Sequence, residues 1–302
     1  MYILIGGIEQ WIQIEGDNAD NPVLLFLHGG PGGSTRMAAA AWKSWERYFT
    51  VAHWDQRGAG KTFERNGAEG CGKLTLERMI ADGIEVVEFL RAHFRKDKII
   101  LIGHSWGSVL GIHMVKRRPE LFAAFVSTGQ LVNLQRNEEF NYTRQLQWAR
   151  AAGNGAALAA LNEIGPPPYR DLNKLRILRE WADVLVPGNG DDVRPRPPLP
   201  STDFSAEDRD ALMKGFMFTG SQLYEEFCAI DLPALGFDFD IPMFCIMGEY
   251  DQQTPMELAK EYFDAIKAPR KKFICIEGCH HFVQMNRPDD FLQSLLECLQ
   301  AV

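Results

Sequence analysis

The stretch Ile99-Ile-Leu-Ile-Gly103-His104-Ser105-Trp106-Gly107-Ser108 constrains this chain more than any other. Its four leading apolar residues, three of them β-branched, predict a fully buried strand that runs straight into Gly-x-Ser-x-Gly. The apolar segment from Val109 to Val115 that follows has helical character. Strand, sharp turn and helix is the setting in which this pattern exposes a serine as a nucleophile. A serine on so strained a turn needs glycine neighbours, because a side chain on either flank would meet the crossing backbone. Gly-x-Ser-x-Gly arises by chance in many Gly-rich loops; the flanking elements are what make Ser105 a candidate nucleophile. A serine hydroxyl is weak unless a base adjoins it, and the base needs a carboxylate to orient it.

Elsewhere the chain alternates strand and helix. Tyr2–Ile5 and Glu9–Glu15 read as short strands joined at Gly6-Gly7, a hairpin signal. Val23–Leu27 is a buried strand ending in His28-Gly-Gly-Pro-Gly-Gly33, and Thr50–Trp54 another, ending in Asp55-Gln-Arg-Gly58-Ala-Gly-Lys-Thr62. Between them, Trp42–Phe49 is a short amphipathic helix candidate. A longer helix is expected from about Thr75 to Phe94, with Met79, Val86, Val87 and Leu90 at helical spacing. Phe122–Ser127, Pro242–Met247 and Lys272–Ile276 supply further strands, and Met256–Ile266 and Asp289–Leu299 further helices. Continuous apolar strands alternating with helices predict an α/β fold whose mostly parallel sheet is covered on both faces. In such sheets the active site lies at the carboxyl ends of the strands. Those ends carry the glycine loop, the Asp55–Thr62 loop and Ser105.

From residue 133 to 234 the rhythm breaks. Glu138–Ala152, Ala156–Glu163 and Leu172–Leu185 read as helices, with no strand pattern among them. The expected division is a core of residues 1–132 and 235–302 and a helical cap of residues 133–234. Arg194-Pro-Arg-Pro-Pro-Leu-Pro200 reads as a stiff loop between cap helices, with a polyproline docking motif as the competing reading. Phe216, Met217, Tyr224, Glu225 and Phe227 belong to a cluster near the end of the cap and are candidates for substrate binding.

With 40 acidic residues against 32 basic ones and a net charge of −8, nothing in this chain of 302 residues would neutralise phosphates, so no nucleic-acid partner is expected. The six cysteines lack zinc-ligand spacing, so no metal is expected; Cys245 and Cys275 fall inside apolar strand-like runs, as small hydrophobes. The start of the chain has neither the basic nor the apolar region of a signal peptide, and no apolar run suffices to span a membrane. A cytoplasmic protein acting on a small molecule without a cofactor is the expectation; oligomeric state is not legible. The glycine loop lacks the Lys-Ser/Thr of a phosphate loop and the spacing of a dinucleotide fingerprint.

Of seven histidines, His280 and His281 are the candidates on a loop after the last strand; His28, His53, His104 and His113 belong to other loops and elements. Glu249 and Asp251 both follow the strand before it. The backbone N–H of Trp106, directly after the serine, and one from the glycine loop, Gly30, are the candidate oxyanion donors.

The order Ser105, Asp251, His281 resembles the α/β-hydrolase family, in which the triad members follow as Ser, Asp or Glu, His. More narrowly, His28-Gly-Gly-Pro-Gly-Gly33, Asp55-Gln-Arg-Gly58 and Ser105-Trp-Gly-Ser108 look like the proline-iminopeptidase group. The resemblance covers most of the chain outside the cap. The family pattern Gly-x-x-Asp selects Asp251, and registering Pro288 on the family's last helix selects His281, with His280 in the place of a family glycine. Two features depart from the group. His104 stands where a second glycine is usual, and the acidic, aromatic cap string that binds a free amino group is absent, with Tyr224-Glu-Glu-Phe227 its nearest substitute. The resemblance implies a serine hydrolase acting through an acyl-enzyme on Ser105. Ester hydrolysis, including that of a lactone such as a macrolide, is the first expectation and release of N-terminal proline the second. A hydrolase-like fold that only binds a ligand is the third.

Overall fold

The computed structural model describes residues 1–182, 184–186 and 204–300. A buried, apolar ribbon runs through it: β3 (Val23–Leu27), β4 (Thr50–Asp55), β5 (Ile99–His104), β6 (Phe122–Thr128) and β7 (Met243–Gly248) are each buried along all or nearly all of their length. Such strands have no solvent face and must be sandwiched. The antiparallel hairpin β1 (Tyr2–Ile5) and β2 (Ile8–Glu15) and the strand β8 (Lys271–Ile276) complete one sheet, in the order β1-β2-β4-β3-β5-β6-β7-β8. From β4 to β8 all neighbours run parallel.

Helices cover both faces. The Asp55–Thr62 loop, read from the sequence as irregular, turns directly into α1 (Gly60–Cys71). On one face lie α2 (Leu76–Phe94), capped by Thr75, and α3 (Trp106–Arg117), their apolar stripes joining Leu25, Leu27 and Leu101. On the other, Trp42 and Trp45 pack with Phe26 and Val126. The helical turns that carry these tryptophans span Arg36–Arg47, earlier than the expected Trp42–Phe49.

Between β6 and β7 the described residues are helical: α4 (Leu134–Ala151), α5 (Gly155–Ile164), α6 (Leu172–Ala182) and α7 (Ala206–Cys228). The first starts earlier than its apolar spacing suggests because Asn133 caps it, accepting from the Arg136 N–H. Asn133 also bridges Asp231, and Leu232 N–H donates to the Val132 carbonyl at 2.9 Å, so the chain leaves and rejoins the sheet through one neck. The Arg194–Pro200 segment lies outside the described residues. After β7 come α8 (Met256–Ala265), α9 (Val283–Asn286) and α10 (Pro288–Leu299), whose Phe291 stacks on Trp45.

Cys275 corrects the expectation of a buried thiol. Its strand, β8, is the sheet's edge, so Cys275 is exposed whereas Cys245 on β7 is buried. Among the described residues no helix is long and apolar enough to cross a membrane.

Candidate active site

Ser105 is the one residue between β5 and α3, at φ 53° and ψ −118°. A non-glycine residue held there costs on the order of 1–3 kcal/mol and persists only where its surroundings dictate it. Here backbone packing does so. A Cβ on Gly103 would stand 2.3 Å from the Gly107 carbonyl oxygen, and one on Gly107 would stand 2.2 Å from that of Leu27. Both glycines of Gly-x-Ser-x-Gly are therefore steric requirements of the turn. The Ser105 N–H donates to the Thr128 carbonyl at the end of β6. Trp106 opens α3, so its N–H has no acceptor within the helix.

Three loops converge here through hydrogen bonds. The Gln56 N–H donates to His28 Nε2 at 3.1 Å, which leaves the proton on Nδ1, facing the Gly29 carbonyl at 2.9 Å. The Gln56 amide in turn donates to the His28 carbonyl and accepts from the Trp106 indole. Burial holds His28 low, at about 4, so it stays a neutral brace. Asp55 accepts from the Ser34 hydroxyl and the Lys61 N–H, and Arg57 pairs with buried Asp82 at 2.6 Å. These charges tie the Asp55–Thr62 loop to its neighbours.

His281 and Asp251 meet. His281 Nδ1 stands 2.9 Å from Asp251 Oδ2 and 3.0 Å from Oδ1, with the two residues 3% and 1% exposed. Asp251 also accepts from the N–H groups of Gln253 and Thr254 and from the Thr254 hydroxyl. Its neighbours in sequence go elsewhere. Glu249 accepts from the Gly278 N–H, and the His280 ring lies beside Tyr250. The His104 ring is buried 4.6 Å from that of His281. Desolvation, and then the nearby His281, push its pKa well below the ordinary value, so it adds a neutral wall.

Ser105 opens on two cavities, of about 600 and 390 Å³, which share Gly30, Phe216 and Gln253 with it. The larger is lined by His281, Phe282, Met285, Met37, Leu212 and Met213. Lining the smaller are Leu131, Leu175, Tyr224, Phe227, Arg176 and Arg179. No Asp or Glu among the described residues lines either. A serine hydroxyl on a strained turn, an imidazole facing a buried carboxylate, and the Trp106 N–H with no acceptor in its helix are the kinds of group that acyl transfer uses.

Of the residues expected to contact substrate, Phe216, Met217, Tyr224 and Phe227 line these cavities and Glu225 does not. Glu225 follows Tyr224 on α7, and one helical step of about 100° turns it to solvent, where it is exposed. Glu226 is also committed: its carboxylate accepts from the Leu76 N–H at the start of α2. Sequence reasoning missed α7 as a helix, because Gly215, Thr219 and Gly220 interrupt its apolar pattern. Two of the three serve close packing. A Cβ on Gly215 would stand 2.7 Å from the Gly58 carbonyl, to which the Thr219 hydroxyl donates at 2.8 Å, and a Cβ on Gly32 would stand 2.9 Å from Phe216 Cα. The helix thus lies almost backbone to backbone on two of the loops. Gln253, Thr254, Arg176 and Arg179 were missed too; Asp251-Gln-Gln-Thr254, an Asx-turn pattern, was the available signal for the first pair.

A family model described as alpha/beta hydrolase fold matches residues 22–288. A probable aminopeptidase from Bacillus subtilis strain 168 is 30% identical over 96% of this chain and 93% of its own. A proline iminopeptidase from Clostridioides difficile strain 630 is 27% identical over 99% and 97%. Among solved structures, a proline iminopeptidase-related protein from Thermus thermophilus superposes with a TM-score of 0.66 at 19% identity, covering 100% of this chain and 96% of that one. Sheet order, helical segment between β6 and β7, serine turn and family match agree: the chain belongs to the α/β-hydrolase family.

Proposed function

We propose that this hydrolase cleaves carboxylic esters of bulky apolar compounds through an acyl-enzyme on Ser105, with residues 133–234 acting as a cap over the site. Asp251 holds His281 by Nδ1, which leaves Nε2 to take the Ser105 proton as Oγ bonds to the ester carbonyl carbon. The N–H groups of Trp106 and Gly30 receive the negative charge that develops on the carbonyl oxygen. The tetrahedral adduct collapses with cleavage of the carbon–oxygen bond, and the imidazolium gives its proton to the departing alkoxide. Water, deprotonated by the same imidazole, then attacks the acyl-enzyme and releases the acid and the Ser105 hydroxyl.

The observation that carries the ester reading is the lining of the two cavities beside Ser105, apolar around the serine and without a carboxylate among the described residues. A free-amine substrate in a largely closed site needs a carboxylate to replace the water around its ammonium group. The similarity to the probable aminopeptidase of Bacillus subtilis favours a second reading, an aminopeptidase. Parallel measurement of kcat/KM on p-nitrophenyl hexanoate and proline p-nitroanilide tests the choice. The ester is expected to lead by at least about tenfold, roughly 1.4 kcal/mol of transition-state discrimination. Because esters are intrinsically easier to cleave, N-acetylproline p-nitroanilide is the control. If proline p-nitroanilide outpaces both its acetylated form and the ester, the aminopeptidase reading replaces this one.

A further inference from the structure

Acyl transfer at Ser105, on the reading above, draws one group from the glycine loop: the Gly30 N–H. The loop lies against the serine, since a Cβ on Gly29 would stand 3.1 Å from Ser105 Cβ. Gly29 and Gly30 flank the peptide that carries this N–H, and Gly30 sits at φ +125°. With no Cβ on either side, such a peptide turns over at little cost. Once turned, it would offer the oxyanion a carbonyl oxygen in place of an N–H. Something must hold it one way up.

The Gly29 carbonyl belongs to the same peptide, which is trans. Across a trans peptide C=O and N–H point in opposite directions, so whatever fixes the carbonyl fixes the N–H. Two donors reach it: the Gly33 N–H at 3.1 Å and His28 Nδ1 at 2.9 Å. A neutral imidazole donates from one nitrogen and accepts at the other. The Gln56 backbone N–H makes that choice, because it donates to His28 Nε2 at 3.1 Å and leaves the proton on Nδ1. Burial keeps the ring neutral, its pKa held at about 4.

Gln56 acts a second time through its side chain. The Trp106 indole N–H only donates and the His28 carbonyl only accepts, so the carboxamide has one orientation. Its Oε1 accepts from the indole at 3.1 Å, and its Nε2 donates to the carbonyl at 3.2 Å. Gln56, Trp106 and His28 are all buried. The amide therefore joins the strand end leading to Gly30 to the residue whose own N–H is the other candidate donor. Packing alone would be served by any groups that satisfied each other. It does not require both ends of the network to stop beside donors for one oxygen.

We infer that His28 and Gln56 are positioning residues for the reaction: Gln56 sets the tautomer of His28, which keeps the Gly30 N–H turned towards Ser105, and the Gln56 side chain holds that donor in register with the Trp106 N–H.

His28→Phe keeps a ring and removes both nitrogens; Gln56→Met keeps the length and removes the amide. Loss of one oxyanion donor costs on the order of 10²–10³ in kcat. On p-nitrophenyl hexanoate, kcat is expected to fall about a hundredfold in His28→Phe and at least about tenfold in Gln56→Met. KM should stay within about threefold in both, because the displaced donor serves the transition state more than the ground state. The second readout is Ki for 1,1,1-trifluoro-2-octanone, to which Ser105 adds so that the ketone oxygen becomes an oxyanion. That Ki should rise in step with the loss of kcat, and the Ki of 2-octanone should not. A Ki does not depend on how much enzyme is folded, so partial unfolding cannot imitate this result. Falling kcat with unchanged Ki for the trifluoroketone, or no change in either, overturns the inference and leaves the acyl-enzyme reading standing. If proline p-nitroanilide proves the better substrate, the same comparison runs on it. Wild-type protein that cleaves neither substrate and does not bind the trifluoroketone would end the acyl-enzyme reading and this inference together. The tautomer is read without any substrate, by nitrogen NMR of protein labelled with ¹⁵N-histidine. The signals that vanish in His28→Phe should be those of a neutral ring protonated at Nδ1. A ring protonated at Nε2 contradicts the inference.

Discussion

The sheet edge around Ser105 and the helical segment above it solve opposite problems. At the sheet edge nearly every choice is forced. Gly103 and Gly107 admit no Cβ, both ring nitrogens of His28 face polar backbone groups, and Asp251 accepts from two backbone N–H groups and a hydroxyl besides facing His281. The helical segment is looser. Along α4, Asn137, Glu138, Asn141 and Gln145 are buried, and Glu138 Oε1, Asn141 Nδ2 and both polar atoms of the Gln145 side chain make no hydrogen bond among the described residues. On α7, Met213, Phe216 and Met217 are exposed beside the cavities they line. Chemistry is fixed by backbone sterics on rigid elements, while recognition is left to side chains whose exchange costs the fold little.

That contrast breaks most sharply at the nucleophile. Ser105→Ala is expected to lower kcat by on the order of 10⁶ with the fold intact, measured by steady-state hydrolysis beside circular dichroism. His281→Ala should cost nearly as much because such residues act as a unit, whereas His280→Ala should cost far less. A reversed order would reassign the base by one residue. One step down, Asp251→Asn is expected to lower kcat by about 10⁴, through loss of the imidazole's orientation and charge partner, and Glu249→Gln by less than about tenfold.

In the helical segment the expected effects fall on stability. Glu138 carries a proton in the folded chain up to a pH of about 7, while the unfolded chain releases it near 4.5. Folding therefore loses stability as pH rises between those values, and the loss is complete above the folded value. Glu138→Gln should thus stabilise the protein at about pH 8, by on the order of 2 kcal/mol, and the gain should fade towards pH 4.5. Denaturant titrations at both pH values measure it. A destabilised variant at the higher pH would mean that the ionised Glu138–Arg179 pair outweighs the cost of burial.

The same division governs what the sequence reveals. Buried parallel strands read directly, because continuous apolar runs have one structural solution in an α/β chain. The sharp turn at Ser105 read as well, since both its glycines are demanded by local sterics. His281 and Asp251 were separable from His280 and Glu249 only through the family register, because adjacent residues on a loop carry no periodicity to tell them apart. Least legible was α7. Its small residues answer to the Gly32 and Gly58 loops, far away in sequence, and local propensity counts them as helix breakers. For the same reason the acidic Glu225 was drawn into the site by its aromatic neighbours, although helical geometry turns it to solvent.

The central claim, that Ser105 is a nucleophile activated by His281, is tested most directly by covalent labelling. The folded protein is treated with a fluorophosphonate, and its intact mass and peptides are read by mass spectrometry. One phosphonyl group per chain, on Ser105, is the expected result, with labelling lost in Ser105→Ala and slowed in His281→Ala by at least about a thousandfold. Wild-type protein that stays unlabelled while fully folded, or Ser105→Ala protein that labels at the wild-type rate, would contradict the account.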